Sequence, residues 1–166
     1  MIAIVIIVYK DDLIYYEINT NVKTDNIRIL GGKVMNLKKT DIYFENTFTG
    51  KLVVPNGEIP IGSSAGTVGP YDMLIGALAG CLYSTFLDVV EKKKGFFDTA
   101  EFHIDWEKRT EIPKTLKMVK ITLIIKGAEE KDKPGMEKAA ELAAKYCSIY
   151  QTISCVADMS VEVVFE

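Results

Sequence analysis

The chain is poor in the residues that build metal centres, hydrolytic triads and disulfide frameworks. Among its 166 residues it has three cysteines and a single histidine, His103. An odd number of cysteines without zinc-finger spacing argues against a disulfide-stapled secreted domain and favours functional thiols in a reducing cytoplasm. With His103 as the only histidine, Cys/His metal sites and Ser-His-Asp triads can hardly be assembled in one chain.

Basic charge and long apolar runs are scarce as well. The net charge is −3 and the only arginines are Arg28 and Arg109, so we expect no nucleic-acid partner. The apolar run from Met1 to Tyr9 is far shorter than the roughly 20 residues that span a bilayer, and no basic segment precedes it. We therefore expect no signal peptide, no transmembrane helix and no membrane partner.

The first part of the chain reads as strands. Residues 1–16 are rich in Ile, Val and Tyr, whereas residues 19–33 show no clear pattern. Residues 41–54 predict a hairpin, followed by a turn and a short strand at 58–61. The glycines and serines of residues 62–69 predict a loop.

A long helix is predicted from Pro70 to about Lys94, because proline favours the first helical position and Gly95 ends the pattern. The helix carries no charge over its central turns, which is typical of a centrally buried helix. Gly76 and Gly80 lower its stability, and we expect close packing by another element to compensate.

The second half predicts two strands, a second helix and a final strand. The strands cover about residues 100–108 and 116–126, and the helix starts near Lys133 and Pro134 and covers Met136 to about Ile153. The three-four spacing places five residues on one face of that helix: Met136, Ala139, Ala140, Ala143 and Cys147. The last strand alternates, with Met159, Val161, Val163 and Phe165 on one side. Strands before, between and after two helices predict one α+β domain with antiparallel sheet.

Cys81 and Cys147 each lie on one of the two predicted helices. Taken singly, each is most simply a small core residue. Helices packed about 8–10 Å apart can nevertheless bring two facing cysteines within disulfide reach. Such a pair can reduce an oxidised substrate, because one thiolate becomes a sulfenic acid and the other thiol resolves it.

The other candidate residues are less distinctive. Cys155 favours a small core residue, with an alternative resolving thiol left open. Arg109 and Asp72 are candidates for activating a thiolate, against the simpler roles of a solvated charge and a helix-dipole partner. His103 is expected to face solvent, and a metal site with Cys147 and Cys155 has no support from spacing.

The segments around both cysteines resemble the OsmC/Ohr family. Residues 69–81 (GPYDMLIGALAGC) resemble its first-cysteine helix, and residues 145–153 (KYCSIYQTI) resemble its second-cysteine segment. The resemblance extends from about Met35 to the C-terminus and is closer to the OsmC-like branch than to Ohr proper.

The resemblance implies an intertwined homodimer with two long central helices wrapped by antiparallel sheets. It also implies reduction of hydroperoxides, organic ones especially, with Cys81 as the peroxidatic and Cys147 as the resolving cysteine. No bound cofactor is implied, since electrons would come from an external dithiol or small thiol.

Three positions depart from the pattern of the family. Tyr71 stands where Ohr-type members have a glutamate, and no arginine occurs between Met35 and Pro70, where those members have one. Ser148 replaces the usual proline after the second cysteine. Lys51, or Arg109 with Asp72, are candidate replacements for the missing ion pair, although lysine lacks the bidentate geometry of arginine.

Two alternatives stay open. The first is a non-catalytic OsmC-like dimer that binds a small apolar or thiol ligand between its central helices, with cysteines that merely pack. The second concerns residues 1–34, which precede the part that resembles the family. They are predicted to be an N-terminal extension, either a translated leader or an extra hairpin, ahead of the OsmC-like domain at residues 35–166.

Overall fold

A computed structural model describes residues 3–9, 12–18, 27–30, 33–36 and 40–166, with side chains from Thr40 onward. The chain divides into two compact units, residues 1–67 and 68–166. The separation of residues 1–34 from residues 35–166 remains a prediction.

The first unit consists of antiparallel hairpins. β1 (Ala3–Tyr9) pairs with β2 (Asp12–Ile18), and β3 (Ile27–Leu30) pairs with β4 (Lys33–Asn36). β5 (Asp41–Phe44), β6 (Gly50–Val54) and β7 (Gly57–Ile61) form a three-stranded sheet in that order. The hairpin predicted at residues 41–54 and the strand after it are confirmed.

The second unit contains a three-stranded sheet and three helices. The strands are β8 (Thr99–Lys108), β9 (Leu116–Lys126) and β10 (Asp158–Phe165), with β9 in the centre. The helices are α1 (Pro70–Lys93), α2 (Lys133–Tyr146) and α3 (Ser148–Ser154). The predicted α+β class is confirmed.

The sheet of the second unit is mixed, which corrects the expectation of antiparallel sheet throughout. β8 and β9 are antiparallel, whereas β9 and β10 are parallel. The chain leaves the end of β9, forms α2 and α3, and returns along the same direction into β10. Such a helical crossover is the connection that parallel neighbouring strands require.

One face of α1 packs against the core of the second unit. Leu78, Leu82, Phe86 and Val90 follow one another at intervals of four and are buried. They join the buried side chains of β9 and the predicted face of α2, namely Met136, Ala139, Ala140 and Ala143. The predicted alternation of β10 is also confirmed, since Met159, Val161, Val163 and Phe165 pack against this core.

The opposite side of α1 is not buried within the described part of the chain, contrary to the expectation of a helix enclosed on all sides. Leu87, which lies on the same side of the helix as Gly76 and Gly80, is more than a third exposed. Apart from the adjacent residues and the nearby backbone of α1 itself, no heavy atom of the described residues lies within 4 Å of a Cβ added to Gly76 or Gly80. The packing expected to compensate these glycines is therefore absent from the described chain, because sheet and helices cover only one side.

By length and hydropathy, α1 alone among the described helices could cross a membrane. This is weak evidence, because the central helix of a soluble protein meets the same criterion.

Candidate active site

Cys81 lies in the middle of α1, three residues after the buried Leu78 and one before the buried Leu82. This position takes it off the centre of the buried face and leaves its side chain half-buried. The helix around it is regular, and Thr85 donates a hydrogen bond to the Cys81 carbonyl oxygen over 3.0 Å. Cys81 is therefore held on a rigid element and retains access to small molecules.

Cys147 lies between α2 and α3, where the helical backbone is interrupted. Its φ of −68° and ψ of 115° are extended, so the predicted helix at 136–153 is in fact two helices. The Cys147 Sγ accepts a hydrogen bond from the Tyr150 N–H over 3.4 Å and thereby caps α3. Free N–H groups at a helix start need such an acceptor, so the Cys147 sulfur supports a new helix start at this point. Cys147 is 1% exposed.

The two cysteines meet where α3 begins against α1. The neighbouring Cys147 side chain is the largest cause that lowers the pKa of the Cys81 thiol below its ordinary value. Ile149 and Ser148 at the start of α3 lower the pKa of Cys81 further, and the Ser148 Oγ lies 3.9 Å from the Cys81 Sγ. Hydrogen bonds to the charged form stabilise a thiolate, so this site favours ionised Cys81.

Cys147 is shifted the other way. Burial is the main cause that raises the pKa of the Cys147 thiol, and its hydrogen bond to Cys81 adds to the effect. Burial also raises the pKa of the nearby Tyr150. The pair is thus asymmetric: the accessible sulfur is the better thiolate, and the enclosed sulfur holds its proton.

The other candidates lie in different surroundings. The Asp72 carboxylate accepts a hydrogen bond from the Gly69 N–H over 2.8 Å and so caps the start of α1. Arg109 donates to the Val156 carbonyl oxygen over 3.1 Å. Neither is among the groups that hydrogen-bond to Cys81 in the described part of the chain. Lys51 forms an ion pair of 2.7 Å with Glu58.

Two further sequence predictions have clear outcomes. His103 is exposed, as predicted, and lies 3.7 Å from a carboxylate oxygen of Glu101. Cys155 is exposed and contacts the Gln151 carbonyl oxygen, so its assignment to the core was wrong. It follows the last turn of the short helix α3, where no described element covers it. Across the described residues, no group of three or more His, Cys, Asp or Glu side chains could hold a metal ion.

The residues that sequence reasoning missed are the donors around Cys81. Ser148 was noted only as a departure from proline, yet its Oγ lies 3.9 Å from the Cys81 Sγ. The sequence signal that could have predicted this donor is a serine, with a hydroxyl and an N–H group, directly after the second cysteine. Because proline has neither donor, the substitution changes what can reach the first thiol.

Tyr71, which stands where Ohr-type proteins have a glutamate, makes an aromatic contact. Its ring stacks on Trp106 of β8 at 5.1 Å between centroids, and the Lys108 ammonium lies 3.6 Å above it. A cation over an aromatic face is attracted by the ring quadrupole. Tyr71 therefore fastens the first turn of α1 to the sheet.

The fold and this site together define an α+β protein with a dithiol between a long helix and a helix start. The model of the family described as OsmC-like protein matches residues 63–162, more than half of the chain. The chain belongs to the OsmC-like family, which confirms the resemblance found in its sequence. A search of curated proteins finds no match.

Solved structures share the fold. A hypothetical protein from Aquifex aeolicus is 22% identical with a TM-score of 0.66, covering 80% of this chain and 99% of its own. An OsmC-like protein from Mycoplasma pneumoniae is 16% identical with a TM-score of 0.64, covering 76% and 98%. The organic hydroperoxide resistance protein OhrB of Bacillus subtilis is 15% identical with a TM-score of 0.55, also covering 76% and 98%.

Proposed function

We propose that the protein is a thiol peroxidase that reduces organic hydroperoxides in defence against oxidative stress, with Cys81 as the peroxidatic and Cys147 as the resolving cysteine. The observation that carries this proposal is the placement of the half-buried Cys81 on α1 beside the start of α3 at the buried Cys147, where the Ser148 Oγ lies 3.9 Å from the Cys81 Sγ. The lowered pKa of Cys81 and the raised pKa of Cys147 agree with it. A peroxidatic cysteine must be an accessible thiolate, and a resolving cysteine needs proximity rather than early ionisation. The name of the Bacillus subtilis neighbour supports the class of substrate.

The proposed reaction has three steps. The Cys81 thiolate attacks the outer oxygen of ROOH, the O–O bond breaks, and the departing alkoxide takes up a proton to become the alcohol. Cys81 is then a sulfenic acid, which Cys147 attacks through sulfur, so that a disulfide forms and water leaves. An external dithiol reduces the disulfide by thiol–disulfide exchange and restores both thiols. No cofactor bound to the chain takes part in this proposal, and its expected setting is the cytoplasm.

Peroxide treatment of the reduced protein tests the pairing directly. We expect one equivalent of cumene hydroperoxide to remove two free thiols per chain and to produce a Cys81–Cys147 disulfide, identified by peptide mass spectrometry. Replacing Cys147→Ser should stop this disulfide and leave Cys81 as a sulfenic acid that dimedone captures. We expect the disulfide to form with Cys147 because Cys147 is the thiol next to Cys81, and its burial keeps it at this position.

Two results would count against the proposal. Unchanged free thiols after peroxide would favour the non-catalytic alternative, in which the protein binds a small apolar or thiol ligand. A disulfide from Cys81 to the exposed Cys155 would retain the peroxidase but replace the resolving residue.

The open side of α1 supports a homodimer as part of the same proposal. Glycine within a helix costs about 1 kcal/mol against alanine, and nothing described near Gly76 or Gly80 compensates this cost. The exposed Leu87 lies on the same side of this helix as the two glycines. A second copy packed closely on this side would bury this apolar side chain and use the space that the glycines leave.

Gly76→Ala distinguishes a packed from an open helix face. In an isolated chain the added methyl group meets nothing described within 4 Å, so the free energy of unfolding would rise by about 1 kcal/mol. At a close dimer contact we expect it to fall by about 1–3 kcal/mol through overpacking. Urea denaturation at equal protein concentration, with sedimentation equilibrium for the mass, measures both effects.

Gly135→Ala in α2 is the matched control, because its added Cβ meets only the Lys93 side chain at 3.9 Å. It should not destabilise the protein. A monomeric mass at micromolar concentration, together with a Gly76→Ala variant that is more stable than the wild type, would refute the dimer.

A further inference from the structure

The hydroxyl group of Ser148 on α3 lies close to the sulfur of Cys81 on α1. Ser148 is the first residue of α3, directly after Cys147, and its Oγ lies 3.9 Å from the Cys81 Sγ. We propose that Ser148 is a catalytic residue of this site, whose hydroxyl donates a hydrogen bond to the Cys81 thiolate. The proposal deepens the proposed function and rests on it for Cys81 as the attacking group.

The local structure fixes where this hydroxyl lies. The extended backbone of Cys147 starts α3, and the capping contact between the Cys147 Sγ and the Tyr150 N–H holds the first turn. The Thr152 hydroxyl donates to the Ser148 carbonyl oxygen over 2.8 Å and secures the same turn from the other end. Ser148 is therefore held by contacts with its own helix while its hydroxyl reaches across to α1.

A neutral donor suits the surroundings of Cys81. Arg109 donates to the Val156 carbonyl oxygen, and Asp72 caps α1, so neither is used at the sulfur. A hydroxyl donates to a thiolate more strongly than to a thiol, because the acceptor carries a full charge. The hydrogen bond consequently lowers the energy of the reactive form. The lowered pKa of Cys81, to which Ser148 contributes after Cys147 and Ile149, agrees with this effect.

The test measures the ionisation of Cys81 without using peroxide. Iodoacetamide alkylates thiolates, and peptide mass spectrometry follows Cys81 separately from Cys147 over a range of pH. At a pH below the midpoint, Ser148→Ala should slow Cys81 alkylation about threefold, as expected for one lost hydrogen bond, and should move the midpoint to higher pH. Ser148→Thr keeps the hydroxyl and should restore the wild-type profile.

Ser154→Ala is the matched control, since it removes a hydroxyl from the same helix that donates only to the Gln151 carbonyl oxygen at 2.8 Å. Its alkylation profile should equal that of the wild type. Ser148→Pro provides a second variant that is compatible with a first helical position and removes both the hydroxyl and the N–H. It should slow alkylation more than Ser148→Ala does.

Identical pH profiles for Ser148→Ala, Ser148→Pro and the Ser154→Ala control would overturn the role of Ser148. That result would leave peroxide consumption by the wild type untouched. If, instead, the wild type consumed no peroxide but Ser148→Ala still shifted the profile, the proposed function would fail and the hydrogen bond would stand.

Discussion

Cys81→Ser is expected to lower the rate of organic hydroperoxide reduction by at least about a hundredfold. Serine keeps the size of the side chain and can still be hydrogen-bonded by Cys147, Ser148 and Ile149, which surround this position. Its hydroxyl is not ionised near neutral pH, however, and only a thiolate attacks the peroxide at a useful rate. The measurement is peroxide consumption with dithiothreitol as the reductant, supported by circular dichroism to show that the fold persists.

Cys155→Ser is the control for this substitution. Cys155 is exposed and its sulfur contacts the Gln151 carbonyl oxygen, so its replacement should change the rate less than about twofold. Equal consumption by Cys81→Ser and the wild type would exclude the proposed chemistry. A loss in Cys155→Ser as large as that in Cys81→Ser would show that a thiol outside the described pair is essential.

Phe86→Ala is expected to lower the free energy of unfolding by about 3–5 kcal/mol. Phe86 lies on the buried face of α1 and is 0% exposed. Its ring lies 5.8 Å from that of Phe97 and 6.3 Å from that of Tyr83, measured between centroids. Truncation would leave a cavity where α1 packs on the core, and a marginally stable domain retains little stability after such a loss. Urea denaturation at fixed protein concentration measures the change.

Phe96→Ala makes the same chemical change where the ring is 64% exposed. We expect it to cost less than about 1 kcal/mol. Equal effects of the two substitutions would show that the described core is not the region that stabilises the fold. Phe86→Ala should also slow peroxide reduction by the folded fraction, because Cys81 precedes this packing contact by only five residues on the same helix.

Much of the fold followed from local signals. Pro70 predicted the start of α1, because proline favours the first helical position. Gly95 predicted its end to within two residues: α1 ends at Lys93, and Lys94 adopts the left-handed conformation that closes a helix. The buried face of α2 was predicted residue by residue, since a period of 3.6 places Met136, Ala139 and Ala143 on one side. Alternation likewise identified the core side of β10.

Errors arose where a non-local contact decides the structure. The pattern of apolar residues continues across Cys147, so periodicity alone predicted one helix instead of α2 and α3. The direction of β10 relative to β9 depends on how the intervening helices return the chain. Cysteine is a residue type often found in protein cores, but no described element covers Cys155 at the C-terminal end of α3.

The sequence by itself determined the family and the α+β class, and it singled out the two cysteines of the proposed site. These follow from motifs and periodicities carried by neighbouring residues, which are readable without coordinates. Tertiary structure alone decided which sulfur is the better thiolate. That asymmetry comes from the neighbouring Cys147, Ile149 and Ser148, which lower the pKa of Cys81, and from burial, which raises the pKa of Cys147. Hydrogen bonding and desolvation act through space, so residues 66 positions apart (147 minus 81) set the chemistry of the site together.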